Sequence, residues 1–142
     1  MRVLVDSTVW IDFLTNTKTP GADKLVELIQ ERADLCICGF ILTEVLQGIR
    51  EEKQYLATRL QFANLIYLED DQSTFELGAT IYRNLKKQGI TIRNSIDCLI
   101  AAIVIQHNVV LLENGRDYPI IDARFPLNLL LKDKKHDDPN PQ

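Results

Sequence analysis

Residues 2–14 read RVLVDSTVWIDFL, and this stretch decides the fold. Val3 to Val5 form a short apolar run rich in β-branched residues, which is typical of a buried strand. The polar residues Asp6 to Thr8 then lead into Val9 to Leu14, where the apolar residues have helical periodicity. The stretch therefore predicts a strand, a turn and a helix.

The same alternation of strand and helix continues along the chain. Further strands are predicted at residues 35–38, 65–68, 109–112 and 127–131. Further helices are predicted at residues 22–32, 40–48, 51–62, 73–87 and 95–106, and residues 113–121 are predicted to form a loop. Short connections and right-handed crossovers favour a parallel sheet with helices on both faces. The sequence thus predicts an α/β fold whose ligands bind beyond the carboxyl ends of the strands.

Length and charge limit the organisation of the chain. Its 142 residues, 46% of them hydrophobic, suffice for one core, which we assign to residues 1–131. Residues 132–142, KDKKHDDPNPQ, are predicted to be a disordered or partner-dependent tail because they contain no apolar residue that could drive ordering. A formal net charge of −4 argues against coating nucleic acid by bulk charge. The acidic excess could instead be concentrated around a bound cation.

No membrane contact is predicted. The apolar stretch at residues 96–105 is interrupted by Asp97 and falls short of the roughly 20 residues that cross a bilayer. Asp6 interrupts the first apolar run before a secretory signal peptide could form, so we expect a cytoplasmic protein. The cysteines, Cys36, Cys38 and Cys98, are predicted to be buried free thiols, since no second Cys/His pair stands at zinc spacing.

Four acidic residues follow or interrupt apolar elements, namely Asp6, Glu44, Asp97 and Asp117. Asp6 closes the first strand, and Asp117 follows the strand at 109–112. Glu44 stands among apolar residues of a predicted helix, and Asp97 lies in the first turn of a helix that is apolar almost all round. Each acid also has a simpler interpretation. Asp6 could cap a helix, Glu44 could be a surface glutamate, Asp97 could stabilise the helix dipole, and Asp117 could be an ordinary loop residue.

Taken together, the acids predict a cation site. Three of the four fall near one edge of the predicted sheet, where like charges raise one another's pKa unless a cation neutralises them. Hard oxygen ligands without a His/Cys pattern favour Mg²⁺, with Mn²⁺ as a substitute, over Zn²⁺. The two histidines, His107 at a helix end and His136 in the tail, are poorly placed to contribute.

Four segments, VDSTVWIDFL, LTEVLQG, SIDCLIAA and HNVVLLENGRDY, occur in an order that resembles the PIN domain of VapC-type toxins. The resemblance covers most of residues 2–131. It implies that the family's metal-binding acids correspond to Asp6, Glu44 and Asp97, and that the Thr8 side chain supports their site.

The chain departs from the family at residues 114–118. Relatives often have Asn-Asp-Arg-Asp-Phe, whereas this chain has Asn-Gly-Arg-Asp-Tyr. Gly115 therefore removes a fourth acid and leaves Asp117 as the local substitute. A glycine can adopt positive φ, so we expect Gly115 to swing Asp117 towards the cation as an outer ligand that contacts it through water.

The resemblance implies a Mg²⁺-dependent endoribonuclease that is the toxin of a type II toxin–antitoxin pair. Metal-activated water would cleave single-stranded or looped RNA and leave 5′-phosphate and 3′-hydroxyl ends. A VapB-like antitoxin and a homodimer are implied as well. Arg93 and Arg116, which lie close to acids in the sequence, are candidates for phosphate contacts, although an exposed surface arginine is the simpler interpretation.

Two other functions stay open. A PIN-fold binding module could dock an antitoxin or RNA without efficient turnover if Gly115 weakens the metal site. A different Mg²⁺-dependent phosphoryl-transfer domain fits poorly. A haloacid-dehalogenase-like phosphatase would have an acid where Thr8 stands, and a phospho-receiver would have paired acids after the first strand.

Overall fold

A computed structural model describes residues 1–131, so the predicted tail and His136 lie outside the described residues. The strands are β1 (Arg2–Val5), β2 (Asp34–Ile37), β3 (Ile66–Tyr67) and β4 (Val110–Leu112). The helices are α1 (Ser7–Leu14), α2 (Pro20–Gln30), α3 (Gly39–Gln47), α4 (Glu52–Phe62), α5 (Gln72–Lys87), α6 (Ser95–His107) and α7 (Asp117–Asp122). The predicted alternation of strands and helices is confirmed.

The strands form one parallel sheet in the order β3-β2-β1-β4. Central strand β1 places Val3 opposite Leu35 of β2 and opposite Val110 of β4. Val3, Leu4 and Val5 are all fully buried although successive side chains point to opposite faces of a sheet. Both faces of the sheet are therefore covered, as predicted for a parallel α/β fold.

The core continues into α6, where Cys98 and residues 100–104 are buried. The helix begins where the Asn94 side chain accepts a hydrogen bond from the backbone N–H of Ile96 at 3.0 Å, and it ends at Asn108, which has left-handed backbone geometry. Asp97 lies in its first turn, as predicted. The three cysteines are buried and free, also as predicted. Within residues 1–131, no helix has the length and apolar character needed to cross a membrane.

The structure differs from two predictions, the last strand and the start of helix α2. The strand predicted at 127–131 is wrong, since only a single bridge joins Leu129 to Leu111. Asn128 has a φ of 52°, which interrupts the extended backbone that a strand requires. Helix α2 begins earlier than predicted, at Pro20, because the Thr19 side chain accepts a capping hydrogen bond and proline at the first helical position leaves no N–H unpaired.

The loop predicted after β4 is also wrong over residues 117–122, which form α7. Pro119 falls in the first turn, where a missing N–H costs the helix no hydrogen bond. Tyr118 and Ile121 are buried against the core, and this packing stabilises a helix too short to form alone. Asp117 is consequently the first residue of a helix, not a loop residue.

Candidate functional site

Asp6 stands where β1 ends and α1 begins, at the carboxyl edge of the sheet. Its backbone N–H donates to the carbonyl oxygen of Leu112 at 2.9 Å, which joins the carboxyl ends of β1 and β4. The residue occupies the N-cap position of α1, but its side chain accepts no capping hydrogen bond. A capping role therefore does not account for a carboxyl group that is only 5% exposed.

The other predicted acids lie close enough to Asp6 to affect its ionisation. Burial raises the pKa of the Asp6 carboxyl from its ordinary value of 3.8 to about 6, and a backbone hydrogen bond from Ser7 lowers it. The negative charges of Asp97 and Glu44 raise the Asp6 pKa further. Glu44 is half-buried on α3, which packs beside α1, so it is not a fully solvated surface residue.

Asp97 links Asp117 to the same cluster. Burial raises the pKa of the Asp97 carboxyl to about 6, and the charges of Asp117 and Glu44 add to this effect. A side-chain hydrogen bond between Asp97 and Asp117 also raises the Asp97 pKa. Electrostatic interactions thus link all four predicted acids: Asp6 is the N-cap residue of α1, Asp97 and Asp117 lie in the first turns of α6 and α7, and Glu44 lies on α3.

A fifth acid, Glu113, was missed by the sequence analysis. It directly follows β4 and is only 9% exposed, and its Oε2 atom is buried without a hydrogen-bond partner among the described residues. Burial raises the pKa of the Glu113 carboxyl from 4.5 to about 7, a backbone hydrogen bond from Gly115 lowers it, and the charges of Asp6 and Asp97 raise it again. An acid directly after a strand is the signal that identified Asp6, and it could have identified Glu113.

Two hydroxyl groups contact the Asp6 carboxylate. Thr8 donates to Oδ2 at 3.4 Å, which agrees with its predicted supporting position. Tyr118, which the sequence analysis missed, donates to Oδ1 at 3.2 Å from a side chain that is only 1% exposed. The tyrosine hydroxyl also lies close enough to the Asp97 carboxyl to lower the Asp97 pKa.

The predicted positive φ of Gly115 is wrong, because the residues with positive φ within 1–131 do not include it. Asp117 reaches Asp97 because α7 begins there, and no swing of the loop is needed. Gly115 is instead a point of close approach. A Cβ atom at this position would lie 3.3 Å from the Tyr118 ring and 3.8 Å from Oε2 of Glu113.

The basic residues do not neutralise this cluster. Arg93 and Arg116 are exposed, and no lysine or arginine of residues 1–131 forms an ion pair with Asp6, Glu44 or Asp97. His107 contacts the backbone oxygen of Glu69 at 2.7 Å, consistent with its predicted absence from the site. The acids therefore face one another without a compensating positive charge from the described part of the chain.

Comparison with known proteins identifies the family. The family model for the PIN domain matches residues 3–124. The chain belongs to the PIN domain family. This PIN domain is 29% identical over 121 residues to the VapC ribonuclease Mb1587 of Mycobacterium bovis, a match that covers 84% of this chain and 90% of that protein.

Solved structures agree with the PIN fold. VapBC2 from Rickettsia felis, bound to a DNA fragment from its promoter, is similar with a TM-score of 0.69 and 19% identity, covering 93% of this chain and 98% of that one. A toxin–antitoxin complex from Klebsiella pneumoniae is similar with a TM-score of 0.63 and 19% identity, covering 82% and 89% of the two chains. The family resemblance found in the sequence is confirmed.

The donor set of this PIN domain suits a hard divalent cation. As the side chains stand in residues 1–131, no three His, Cys, Asp or Glu residues are arranged to hold a metal ion together. Mg²⁺ needs fewer protein ligands, because it is usually held by one or two carboxylates and keeps several waters. Asp6 and Asp97 could be those two, and the unpartnered Oε2 of Glu113 is a further oxygen that could accept from a metal-bound water.

Proposed function

We propose that the chain is a Mg²⁺-dependent endoribonuclease and the toxin of a type II toxin–antitoxin pair. The observation that carries this proposal is the convergence of Asp6, Glu44, Asp97 and Asp117 at the carboxyl edge of a PIN-domain sheet. The name of the M. bovis relative, a VapC ribonuclease, supports RNA as the substrate.

Asp6 and Asp97 would hold the Mg²⁺, or Mn²⁺ in its place, while Glu44 and Asp117 complete the negative pocket. When bound, the ion supplies activation of water and stabilisation of charge on the scissile phosphate. The products would carry 5′-phosphate and 3′-hydroxyl ends. Arg93 and Arg116 are both exposed, near Asp97 and Asp117 in the sequence, where they could contact RNA phosphates.

Water, not a cysteine, is the proposed nucleophile. Burial raises the pKa of the Cys38 thiol to about 11, and burial likewise raises the pKa of the Cys98 thiol to about 11. Each thiol therefore keeps its proton at neutral pH, and the thiolate is the form that attacks. These are the cysteines closest in sequence to the acids Glu44 and Asp97.

A Mg²⁺ titration of RNA cleavage tests the proposed function. EDTA-treated wild type should cleave no RNA, and added Mg²⁺ should restore cleavage. Asp117→Asn should need about 10-fold more Mg²⁺ for half-maximal cleavage, the low end of the effect expected for an outer ligand. Gly115→Asp should need no more Mg²⁺ than wild type, because the carboxylate that it adds beside Glu113 offsets the pressure of its Cβ atom on the Tyr118 ring.

Asp34→Asn serves as the matched control, since Asp34 is exposed at the start of β2, on the opposite edge of the sheet. Its Mg²⁺ requirement should equal that of wild type. Identical curves for wild type and Asp117→Asn would remove Asp117 from the site and leave three acids. Cleavage that persists in excess EDTA would contradict a metal-dependent reaction.

A PIN-fold binding module without efficient turnover is the second candidate. The missing acid at Gly115 favours it, because the family commonly has a carboxylate there. The two candidates differ in one observation. If antitoxin-free, correctly folded protein cleaves none of a panel of structured and single-stranded RNAs at saturating Mg²⁺ or Mn²⁺, the binding module is the better description.

We further propose a VapB-like antitoxin as the protein partner. The similar structures from R. felis and K. pneumoniae contain toxin–antitoxin complexes. The uncompensated carboxylates of Asp6 and Asp97 would accept an arginine or lysine from a basic antitoxin segment, which would exclude the metal. A homodimer of the toxin is proposed from the family resemblance.

Co-expression with the product of the neighbouring gene tests the partner. The two proteins should co-purify, and the complex should cleave RNA far more slowly than the free toxin. The Asp6→Asn/Asp97→Asn double variant should bind the partner about 10-fold more weakly at low salt, because the basic segment loses its carboxylate partners. A freely tolerated, active nuclease without an adjacent partner gene would contradict the proposal.

A further inference from the structure

The Tyr118 hydroxyl lies between two of the acids. It donates to Oδ1 of Asp6 at 3.2 Å and lies close enough to the Asp97 carboxyl to lower its pKa. The ring is fully packed in the core at the first turn of α7, so the position of the hydroxyl is set by the fold and not by a mobile side chain. A buried phenol thus joins the acid that follows β1 to the acid that begins α6.

The hydrogen bonds to Asp6 leave its carboxylate available to a cation. A carboxylate oxygen has two lone-pair sites. Tyr118 takes one site on Oδ1, and Thr8 takes one site on Oδ2 at 3.4 Å. The Ser7 backbone N–H is a third donor to this carboxylate, so the three donors orient its plane while one of its four lone-pair sites remains open. Burial, together with the charges of Asp6 and Asp97, raises the pKa of the Tyr118 hydroxyl well above its usual value, so it stays a donor.

Gly115 is the reason that the phenol fits. A Cβ atom at 115 would lie 3.3 Å from one ring carbon of Tyr118, which is closer than most such contacts, and at an ordinary 3.6 Å from the next. A longer side chain would therefore press on the ring or on the Glu113 carboxylate. The two departures from the family pattern, glycine at 115 and tyrosine at 118, are in direct contact and are compatible with each other.

We propose that Tyr118 is a positioning residue. Its hydroxyl holds the Asp6 carboxylate beside Asp97 in the arrangement that takes up the divalent cation. This inference rests on the proposed metal-dependent function. The neutral hydroxyl lies between two carboxylates that would otherwise repel each other directly in the metal-free protein.

The test is an equilibrium titration of metal-free protein with Mn²⁺, followed by electron paramagnetic resonance of the free ion. Tyr118→Phe keeps the ring and removes the hydroxyl, so the variant should stay folded but bind Mn²⁺ about 10-fold more weakly, the low end of the range for residues that orient metal ligands. The Mg²⁺ concentration for half-maximal cleavage should rise by the same factor. Tyr82→Phe, on the half-exposed side of α5, should bind Mn²⁺ like wild type.

Gly115→Ala is the second variant, because it keeps the hydroxyl but places a methyl group against the ring. It should weaken Mn²⁺ binding by a smaller factor, and it keeps the test valid if Tyr118→Phe does not fold. If Tyr118→Phe binds Mn²⁺ with an affinity equal to or higher than that of wild type, the proposed role of Tyr118 is overturned and the proposed function stands. A wild type that binds no Mn²⁺ overturns the proposed function together with this inference.

Discussion

Asp6→Asn should abolish RNA cleavage, with a rate at least about 1,000-fold below that of wild type, and Asp97→Asn should do the same. Metal-ion catalysis contributes several kcal/mol to the transition state, and about 1.4 kcal/mol corresponds to a tenfold change in rate. The amide cannot supply the negative charge that holds the cation. Its oxygen can still accept the hydrogen bond that Tyr118 now donates to Asp6, so the fold should be kept.

The same substitutions should stabilise the metal-free protein at pH 7.5. A pKa change from 3.8 to about 6 at Asp6 corresponds to about 3 kcal/mol, so removing this charge should raise the free energy of unfolding by about 1–3 kcal/mol. Thermal denaturation in EDTA measures this, with Asp34→Asn as a control that should change neither cleavage nor stability. Wild-type cleavage by either variant at saturating Mg²⁺ would refute the assignment of the metal ligands.

The metal-free protein should lose stability as the pH rises from 5 to 7.5. The pKa values of Asp6 and Asp97 are raised to about 6 and that of Glu113 to about 7, in each case mainly by burial. A carboxyl whose pKa is higher in the folded protein than in the unfolded chain stabilises the fold while it is protonated. That contribution is lost as the pH rises through the folded-state pKa.

The expected size follows from the same values. Between pH 5 and 7.5, the ionisation of Asp6 alone should lower the free energy of unfolding by about 1 kcal/mol. The three acids together should lower the melting temperature by on the order of 5–10 °C. The comparison starts at pH 5 because the hydrogen bond from Ser73 lowers the pKa of Asp71. Protonation of Asp71 therefore destabilises the fold only in more acidic solution. Saturating Mg²⁺ should reduce the difference, and a melting temperature that rises towards pH 7.5 in EDTA would contradict this electrostatic account.

Much of the fold follows from the local sequence. The apolar run from Val3 to Val5 and the apolar helix around residues 98–104 form buried elements. Both could be predicted from neighbouring residues without information on distant segments. The acids Asp6 and Asp97 could be predicted for the same reason, since each is polar at a point where its element is otherwise apolar. Their convergence could also be predicted, because β1 ends at the carboxyl edge of the sheet and α6, which leads back to the start of the parallel strand β4, begins at that edge.

The parts that could not be predicted depend on contacts between distant segments. Helix α7 forms because Tyr118 and Ile121 pack into the core, whereas the local signals, Gly115 and Pro119, favour a loop. The hydrogen bond from the Tyr118 hydroxyl to Asp6 joins two residues that are more than one hundred positions apart in the sequence. Glu113 is different, because it directly follows the strand predicted at 109–112 and carries the same local signal as Asp6.

The arrangement of acids shows how the site differs from the rest of the fold. Elsewhere in residues 1–131, buried side-chain nitrogen and oxygen atoms have hydrogen-bond partners except Nε1 of Trp10, and acids such as Asp71, which caps α5, are paired with donors. At the carboxyl edge of the sheet, buried carboxylates face one another and one Glu113 oxygen has no partner among the described residues. A site that is electrostatically incomplete in the protein alone is expected where a cation completes it.

The most direct test of the central claim is the binding of Mn²⁺ to metal-free wild type and to the Asp6→Asn/Asp97→Asn double variant at pH 7.5, measured by titration calorimetry. Wild type and Asp34→Asn should bind one or two ions with the same affinity, and the double variant should show no saturable binding at the same concentrations. Binding by the double variant with wild-type affinity and stoichiometry would contradict the claim that the acids at the carboxyl edge of the sheet hold the catalytic cation.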